Sequence, residues 1–386
     1  MPAKDQRRSP QANLLETVKA DIALEIVRAR RHGGASVTAV CVVIPCWNES
    51  ETIVNTLTSL ANQSSLPHVV VCVDDCSSDD TYEILTKFAS ERQFPFRLVA
   101  ERTATRSLRA GAVNRGLEFV PKNSEFIVVM DGDTLLDRDA IGNALVELVA
   151  NPDAGMICST SYLHEGRGLL YRLQKLEYGG ITHSRYLTSR NVLISHGLFS
   201  IIRRKALEAV GLRLSEDMLL EDYDLTVRVK LAGYRCIFSR YVRAYTGPPK
   251  TWRGLYRQRK RWSLGGLDIV TKFGWVDPVK SDIVSHFLFL TLFVAIVAWV
   301  VFRITMSGQV SFGFRFTWEP WYMIPLGVAI LGYVYNMLSM RFVPNRNWKD
   351  WLIRLTIVLE IVYGTFLSWI SVYCYLLKLF SRRRSW

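Results

Sequence analysis

The sequence predicts an α/β fold whose largely parallel sheet is followed by membrane-embedded helices, and two patterns along the chain carry this prediction. Between residues 37 and 247, short apolar runs alternate with segments of helical periodicity. This alternation is typical of strands joined by helices that cover both faces of a sheet. After residue 280, long apolar stretches replace the alternation. Stretches of about 20 apolar residues are long enough to cross a lipid bilayer.

The alternating region contains five strand candidates and three helix candidates. The strand candidates are VTAVCVVIP (37–45), HVVVCVDD (68–75), FRLVAE (96–101), EFIVVMD (125–131) and AGMICSTSY (154–162). The helix candidates are ESETIVNTLTSLANQ (49–63), DDTYEILTKFASER (79–92) and RDAIGNALVELVA (138–150). Ligands of such sheets bind at the carboxyl ends of the strands. Residues that follow a strand candidate are therefore the first candidates for a functional site.

These patterns divide the chain into four segments. Residues 1–36 hold an amphipathic helix at 14–31, residues 37–247 form the sheet domain, residues 248–280 form interfacial helices, and residues 281–386 form a transmembrane region of two to three helices. The amphipathic helix either packs on the sheet domain or lies on a membrane surface.

The transmembrane region has apolar stretches at 283–305, 321–340 and about 355–380. Trp and Tyr at their edges are typical of the headgroup level, and the alternative is three buried helices of a soluble core. The basic loop at 341–354 favours an integral membrane protein whose sheet domain is cytoplasmic. Three full spans would place the terminal SRRRSW on the opposite side, so a re-entrant or surface-lying third segment stays open.

The composition indicates which kinds of partner the protein binds and which roles its cysteines have. The chain has 48 Lys and Arg against 35 Asp and Glu, a net charge of +13. This charge suits an anionic partner, such as lipid headgroups, a phosphorylated substrate or nucleic acid. Its seven cysteines include no CxxC pair, so the sequence indicates neither a zinc site nor a disulfide framework.

Acidic pairs follow two of the strand candidates and open one helix. Asp74 and Asp75 come just after the strand at 69–73, Asp131 and Asp133 stand at the end of the apolar strand that begins at 125, and Glu221 and Asp222 stand where a loop enters a helix. Carboxylates on adjacent strand ends favour a hard divalent cation, which leaves coordination positions for water and substrate phosphates. The sequence has neither the GxxxxGK[ST] motif of P-loop enzymes nor a GxGxxG after its first strand.

The ordered set VVIPCWNES, VDDCSSDDT, RAGAVNRGL, VVMDGDT, LLEDYDLTVRVKLAGYR and QRKRW resembles the motifs of family 2 glycosyltransferases. The resemblance is to the membrane-integrated branch that includes cellulose, chitin and hyaluronan synthases, and it covers about residues 38–266. It implies a GT-A-type domain with a Rossmann-like mixed sheet. It also implies transfer of a sugar from a UDP-sugar to a polysaccharide or a membrane lipid.

The same resemblance implies roles for particular positions in donor binding. The matching positions are Pro45, Asn48, Glu49, Asp75, Arg109, Asp131, Gln258 and Arg261. Of these, Asp75 would contact the uracil or ribose, and Arg109, where the family often has lysine, would face the nucleotide. Asp131 and Asp133 match the metal-binding pair, so the resemblance implies Mg²⁺ or Mn²⁺ as the cofactor.

On the acceptor side, Asp222 matches the catalytic base, and Trp262, His196 and Glu221 are candidates for acceptor binding. The chemistry agrees with this assignment. A hydroxyl is a poor nucleophile that needs a carboxylate within hydrogen-bond reach, and a metal ion and an arginine stabilise the departing diphosphate. Attack opposite the leaving group inverts the anomeric carbon, so an α-linked donor yields a β-glycoside.

Several of these residues have structural alternatives. Asp74 and Asp79 are also suited to cap the helix that follows them. Glu221 could be a structural acid that supports its neighbours, and His196 could be a structural histidine whose hydrogen bonds are made within the protein. In the basic stretch KTWRGLYRQRKRW (250–262), we expect lipid headgroups to meet most of the charges, and only Arg261 receives a catalytic role. Cys76 stands where the family usually has glycine, which leaves the local turn open.

Two other functions remain open at this point. One is transfer to polyisoprenyl phosphate, against which the QRKRW motif weighs. The other is a non-catalytic basic protein that binds a membrane or nucleic acid; for the leading function we expect no nucleic-acid partner. Three helices are few for a polymer channel, so we expect a glycolipid product or a homo-oligomer that forms the channel.

Overall fold

The computed structural model describes residues 39–307 and 323–380, which form two units. The first unit contains the residues up to Thr160 together with Ser195–Glu216 and Arg228–Tyr245. The second contains Ser161–Ile194, Asp217–Val227 and the chain from Thr246 onward. The amphipathic helix expected at 14–31, the first residues of the apolar stretch at 321–340 and the terminal basic run lie outside the described residues.

A mixed eight-stranded sheet forms the described part of the first unit. The strands are β1 (Ala39–Cys46), β2 (Val69–Asp74), β3 (Arg97–Arg102), β4 (Ser124–Met130), β5 (Leu135–Leu136), β6 (Ala154–Leu163), β7 (Phe199–Arg203) and β8 (Arg235–Thr246). Their order across the sheet is β3-β2-β1-β4-β7-β6-β8-β5. All five strand candidates are strands in the structure.

The expectation of a largely parallel sheet is correct for one half of it and wrong for the other. The strands β3, β2, β1 and β4 are parallel neighbours, whereas β7 is antiparallel to both β4 and β6, and β5 is antiparallel to β8. The parallel half is built from strands separated by helices, as the alternation predicts. The antiparallel half depends on β7 and β8, whose sequences give no continuous apolar run.

The helices described wholly within the first unit are α1 (Ile53–Ala61), α2 (Thr81–Glu91), α3 (Leu108–Leu117), α4 (Ala140–Ala150) and α6 (Arg204–Glu208). Three of these five described helices, α1, α2 and α4, lie within the three helix candidates. In α1, Ile53, Leu57 and Leu60 are fully buried and three or four residues apart, so one face of the helix enters the core. Their partners there include Val42, Ile44 and other inward-facing residues of the parallel strands.

Helix α3 approaches the sheet closely because it has glycine at position 116. A Cβ atom on Gly116 would lie 2.5 Å from Cγ1 of Val43 in β1 and 3.2 Å from Cγ2 of Val73 in β2. This close packing fixes the helix whose first turn carries Arg109.

The second unit is helical. Its helices are α5 (Leu169–Leu187), the residues of α7 (Glu221–Leu231) up to Val227, α8 (Trp252–Phe273), α9 (Asp277–Ser307), α10 (Met323–Ser339), α11 (Trp348–Thr356) and α12 (Val358–Phe380). Within the described residues, Asp277–Ala295 of α9 and Val358–Phe380 of α12 are long and apolar enough to cross a membrane. Leu379 and Phe380 of α12 are 76% and 83% exposed. Helix α10 has 17 described residues.

Buried ion pairs join the helices of the second unit. The fully buried carboxylate of Asp350 lies 2.7 Å from Nη1 of Arg172 and 2.9 Å from Nζ of Lys175. Burial alone would raise the pKa of Asp350, but hydrogen bonds from Lys175, from the Asn347 backbone and from Arg172 bring it below its usual value. Asn347 and Asp350 also form a capping box that starts α11. These contacts fix α11 relative to α5.

Candidate active site

The carboxyl ends of β1, β2 and β4 lie at one edge of the sheet in the first unit. In the parallel register Cys46 of β1 pairs with Asp74 of β2, and Val43 pairs with Val129 near the end of β4. The segments that follow these three strands therefore meet at this edge, as ligand-binding segments of α/β sheets do. They contain the three acidic or polar motifs that the sequence singled out.

Asp74 and Asp79 have structural contacts. The buried Asp74 carboxylate accepts hydrogen bonds from the Ser77 amide, at 3.3 Å to each oxygen, and pairs with Nε of Arg102 at 3.0 Å. Asp79 accepts from the Thr81 amide at 3.2 Å, at the start of α2. Asp79 therefore contacts the first amide of α2 from the position before the N-cap residue Asp80, and Asp74 closes the preceding turn, so neither is the N-cap of the helix.

Asp75 holds the loop that leads into α3. Its Oδ1 accepts hydrogen bonds from the Thr103 hydroxyl at 2.9 Å, the Ser107 amide at 2.7 Å and the Ser107 hydroxyl at 2.9 Å. These bonds fix the residues immediately before Arg109. Contact of Asp75 with a uracil or ribose stays a prediction, and the loop that it holds would belong to the same pocket.

Two residues with left-handed backbone shape the turn beside Asp75. Cys76 has φ 57°, a conformation that glycine adopts at lower cost, which explains why the family usually has glycine here. Asn48 has φ 56°, and its Oδ1 accepts from the Ser78 amide at 2.9 Å. The amide of Asn48 in turn donates to the Ser77 hydroxyl at 2.9 Å. Asn48 therefore clamps the turn after β2 to the end of β1.

The sequence Asp131-Gly132-Asp133 packs against the segment that follows β1. A Cβ on Gly132 would lie 3.0 Å from Cγ of Glu49 and 3.5 Å from the carbonyl oxygen of Pro45. A larger residue would push the two aspartates away from this segment. The glycine between them therefore packs closely against this segment, and the charges of both aspartates lie near Glu49.

The pKa of Glu49 is sensitive to the negative charge at this edge of the sheet. The pKa of Glu49 is raised to about 7, and burial of the carboxyl group is the largest cause. The neighbouring charges of Asp133, Asp131 and Asp79 also raise this pKa, whereas the hydrogen bond from the Thr52 hydroxyl lowers it. Carboxylates that repel one another in this way attract a cation.

Arg109 supplies one positive charge at this edge. Its Nε lies 2.7 Å from Oδ1 of Asp131, and its Nη2 donates to the carbonyl oxygen of Gly197 at 2.6 Å. The sequence predicts that Arg109 faces a nucleotide, and the structure places it on one of the two aspartates of the expected metal pair. Spacing does not predict this contact, because the partners are 22 residues apart and come from α3 and the end of β4.

His196 lies one residue before Gly197 and is half-buried. Its Nε2 lies 2.9 Å from the carbonyl oxygen of Ser159, and its own carbonyl accepts a hydrogen bond from the Ser200 hydroxyl at 2.9 Å. These contacts suit the structural alternative weighed from the sequence. Acceptor binding by His196 stays a prediction.

The predicted Mg²⁺ or Mn²⁺ site has two carboxylate ligands, Asp131 and Asp133. Among residues 39–307 and 323–380, no group of three or more His, Cys, Asp and Glu side chains is arranged as a metal site. Mg²⁺ and Mn²⁺ do not require such a group, because they typically take one or two carboxylates and complete their coordination with water and substrate phosphates. The donor set of Asp131 and Asp133 fits this kind of ion.

In the second unit, Glu221 and Asp222 are the first two residues of α7. Glu221 is buried and Asp222 is half-buried, and Oδ1 of Asp222 accepts from the Tyr223 amide at 2.8 Å. Negative side chains in the first turn complement the helix dipole. Asp224, one residue beyond Tyr223, pairs with Lys272 at 2.8 Å. The acidic motif is therefore a helix N-terminus, as the sequence predicts.

The QRKRW motif, residues 258–262, lies within α8. Its second residue, Arg259, has the largest set of described contacts. Arg259 binds Glu177 of α5 with Nε 3.0 Å from Oε1 and Nη2 2.7 Å from Oε2. Its guanidinium carbon lies 4.1 Å from the ring centroid of Trp262, and it also donates to Oε1 of Gln258. The expectation that most charges of residues 250–262 meet lipid headgroups is wrong for Arg259, which is buried. One signal for this burial is its spacing of four residues from the buried Leu255.

The mixed sheet with acidic strand ends, followed by apolar helices, agrees with the glycosyltransferase class that the motifs imply. The family model described as "Glycosyltransferase like family 2" matches residues 38–265. The chain belongs to this family. This membership confirms the resemblance drawn from the motifs and excludes a non-catalytic protein as the alternative.

Relatives and a solved structure agree with this placement. The chain is 27% identical over 268 residues to a poly-β-1,6-N-acetyl-D-glucosamine synthase of Staphylococcus epidermidis, covering 68% of this chain and 63% of that one. It is 27% identical over 237 residues to the synthase of that name from Staphylococcus aureus strain COL, covering 60% and 56%. The chain thus matches about 60% of the length of these relatives. The structure of the mannosyltransferase PcManGT from Pyrobaculum calidifontis, in complex with GDP-Man and Mn²⁺, has a TM-score of 0.59 at 19% identity, covering 96% of this chain and all of that one, which supports the fold.

Proposed function

We propose that this family 2 glycosyltransferase moves a sugar from a UDP-sugar to a polysaccharide or lipid acceptor at a membrane and forms a β-glycosidic bond. The observation that carries the proposal is the packing of Asp131-Gly132-Asp133 against Pro45 and Glu49 at the carboxyl edge of the parallel strands. Enzymes with such sheets bind their ligands at this edge.

The donor pocket that we propose uses the segments after β1 and β2. Asn48 and Asp75 organise these segments through hydrogen bonds to Ser78 and Ser107, so the pocket walls are held by the protein itself. Pro45 and Glu49 complete the wall beside the two aspartates. Preformed walls reduce the ordering cost of nucleotide binding.

Asp131 and Asp133 would hold Mg²⁺ or Mn²⁺. When bound, the ion neutralises the negative charge that develops on the departing diphosphate. The raised pKa of Glu49 supports this role, because the charges of Asp133 and Asp131 that contribute to it also attract a cation. The Mn²⁺ named with the mannosyltransferase structure agrees with the proposal.

Asp222 is our proposed base, by its match to the family motif. Its carboxylate would accept the proton of the acceptor hydroxyl as that oxygen attacks the anomeric carbon, and the bond to the nucleoside diphosphate breaks on the opposite side. Gln258 and Arg261 would contact the diphosphate, while Trp262 would stack on the acceptor sugar. Glu221 and His196 remain acceptor-binding candidates.

The acceptor and the cellular setting follow from the helices and the relatives. Two helices of membrane-spanning length support a membrane acceptor, with the first unit in the cytoplasm where nucleotide sugars are made. The relatives are named as synthases of a β-linked N-acetylglucosamine polymer, which makes UDP-GlcNAc the first donor to test. A polymer product would need a channel, for which a homo-oligomer is the simplest source of further helices.

A donor panel tests this function. Purified protein in lipid is incubated with Mn²⁺ and UDP-GlcNAc, UDP-glucose or GDP-mannose, and release of nucleoside diphosphate and product mass are recorded. We expect release from a UDP-sugar, with a polymer or a one-sugar lipid adduct as the product. Turnover of GDP-mannose alone, with polyisoprenyl phosphate as acceptor, would favour the other enzyme function considered from the sequence.

A further inference from the structure

The guanidinium group of Arg109 contacts an aspartate oxygen and a backbone carbonyl oxygen of the first unit. One is Oδ1 of Asp131, 2.7 Å from Nε, and the other is the carbonyl oxygen of Gly197, 2.6 Å from Nη2. The side chains of Arg109 and Asp131 are 19% and 36% exposed. The pair is therefore partly shielded from water, yet open enough for a small ligand to reach it.

The backbone directs Arg109 toward this position. Leu108, just before it, has φ 59°, an uncommon conformation for a residue with a branched side chain. Ser107 is fixed by two hydrogen bonds to Asp75. The strained backbone at Leu108 sets the direction of the Arg109 side chain in the first turn of α3. Strain of this kind is common at functional sites.

Gly197 makes room for the guanidinium group. A Cβ atom at this position would lie 2.8 Å from Nη2, 2.9 Å from Cζ and 3.1 Å from Nη1 of Arg109. Even alanine would therefore displace the end of this flexible side chain. The absence of a side chain at position 197 therefore leaves room for the guanidinium group where it contacts Asp131.

We propose that Arg109 competes with the divalent cation for Asp131, and that the diphosphate of the donor takes up the displaced guanidinium group. This inference rests on the proposed function, because it requires Asp131 to be a metal ligand. A divalent cation bound to Oδ1 of Asp131 would repel the guanidinium group 2.7 Å from that atom and share the same negative charge with it, so each would weaken the binding of the other. Arg109 then moves between two anionic partners, a carboxylate and a diphosphate.

The consequence is that cation and nucleotide assist each other. Without nucleotide, the cation must displace an arginine from its carboxylate, which weakens cation binding. With nucleotide, the displaced arginine gains a bidentate anionic partner, which offsets that loss. By linkage, the cation then strengthens nucleotide binding by the same factor as the nucleotide strengthens cation binding.

Mn²⁺ binding to the full-length protein tests the competition without any turnover. Free Mn²⁺ is counted by electron paramagnetic resonance in titrations of the wild type, Arg109→Gln and Gly197→Ala. Arg235→Gln is the matched control, because it removes the same charge from another Arg–Asp pair of the first unit, that with Asp153. Gly197→Ala leaves the net charge unchanged and crowds the end of the Arg109 side chain.

We expect Arg109→Gln to bind Mn²⁺ about fivefold more tightly than the wild type, since a partly exposed ion pair shifts an equilibrium by about that factor. Gly197→Ala should shift in the same direction, and Arg235→Gln should match the wild type. UDP should tighten Mn²⁺ binding in the wild type by a larger factor than in Arg109→Gln. Unchanged or weaker Mn²⁺ binding in both Arg109→Gln and Gly197→Ala would overturn the proposal.

Asp133→Asn separates this proposal from the function on which it rests. If Asp133→Asn binds Mn²⁺ as the wild type does, the metal site itself is misplaced and the proposed function loses its cofactor. If Asp133→Asn binds weakly while Arg109→Gln and Gly197→Ala both bind Mn²⁺ as the wild type does, the metal site stands and the competition alone is refuted. If Arg109→Gln does not fold, Gly197→Ala decides the question.

Discussion

Arg259 and Glu177 form a two-bond ion pair between α8 and α5, with 3.0 Å from Nε to Oε1 and 2.7 Å from Nη2 to Oε2. The Tyr363 hydroxyl donates to the same Oε2 at 2.6 Å, and the guanidinium group lies over the Trp262 ring. The pair therefore fixes the part of α8 that carries Gln258 and Trp262.

Removing the charge of Glu177 should lower activity as well as stability. In Glu177→Gln, Arg259 keeps its place less firmly, so the Trp262 ring and the Gln258 amide lose their fixed orientation. We expect kcat/KM to fall about tenfold, because misplaced binding groups are costly to the transition state. The measurement is steady-state UDP release at varied donor and acceptor concentrations.

Asp350→Asn is the matched control for Glu177→Gln. It also removes a carboxylate that binds two partners in the second unit, here Arg172 and Lys175. Breaking a buried pair costs about 3 kcal/mol of stability in either variant. Activity per folded molecule should fall only in Glu177→Gln, and an equal fall in both variants would assign the effect to stability alone.

Gly116→Ala should destabilise the first unit through α3. The added Cβ would meet the buried side chains of Val43 and Val73 at 2.5 and 3.2 Å, and overpacking of this kind costs about 1–3 kcal/mol. Gly180→Ala is the comparison, because nothing lies within 4 Å of a Cβ there in the middle of α5. Replacing a helical glycine without a clash adds about 0.5–1 kcal/mol of stability. Thermal unfolding should move the two variants in opposite directions, and a shift of the same sign would contradict the packing described for α3.

Glu49 should make the first unit less stable as pH rises. Its pKa is about 7 in the folded protein, above the ordinary value of 4.5, so folding retains a proton between these values. The stabilising contribution is complete below about pH 4.5 and is lost as pH rises through about 7, a change of about 1–3 kcal/mol. The measurement is the free energy of unfolding of Glu49→Gln and of the wild type in EDTA, at pH values from about 4.5 to above 7. As the pH rises, the variant should become more stable relative to the wild type. A constant difference would show that Glu49 ionises normally.

The parallel half of the sheet was predictable because local pattern determines it. Strands β1, β2 and β4 are apolar runs buried on both faces, and helices of amphipathic period separate them. Strand β5 has two residues, Leu135 and Leu136, and exists because they pair with Tyr245 and Ala244 of β8. Such a strand has no pattern of its own, so a single sequence does not reveal it.

The candidate site divides in a similar way. The places of Asp131 and Asp133 after a strand and of Asp222 in the first turn of a helix were predictable, because each belongs to a local pattern, and their roles stay predictions. The contact of Arg109 with Asp131 and Gly197 was not predictable, since it joins three segments through a particular loop conformation. The burial of Arg259 depends likewise on a partner in α5, 82 residues earlier in the chain.

Asp222→Asn should abolish transfer while leaving UDP affinity nearly unchanged. Asparagine keeps the size of the side chain and accepts from the Tyr223 amide, yet it cannot take the acceptor proton. General-base catalysis contributes about 10²- to 10⁴-fold, so a fall of about 10³-fold in kcat is expected. Calorimetric UDP binding checks that the site is intact, and normal turnover by the variant would remove Asp222 from the mechanism.

The anomeric configuration of the product tests the central claim most directly. The wild-type protein is supplied with Mn²⁺ and whichever α-linked UDP-sugar it accepts, and the new glycosidic bond is read by proton NMR. Displacement of the diphosphate by an acceptor hydroxyl arriving from the opposite side predicts a β-linked product, whereas an α-linked product would contradict it.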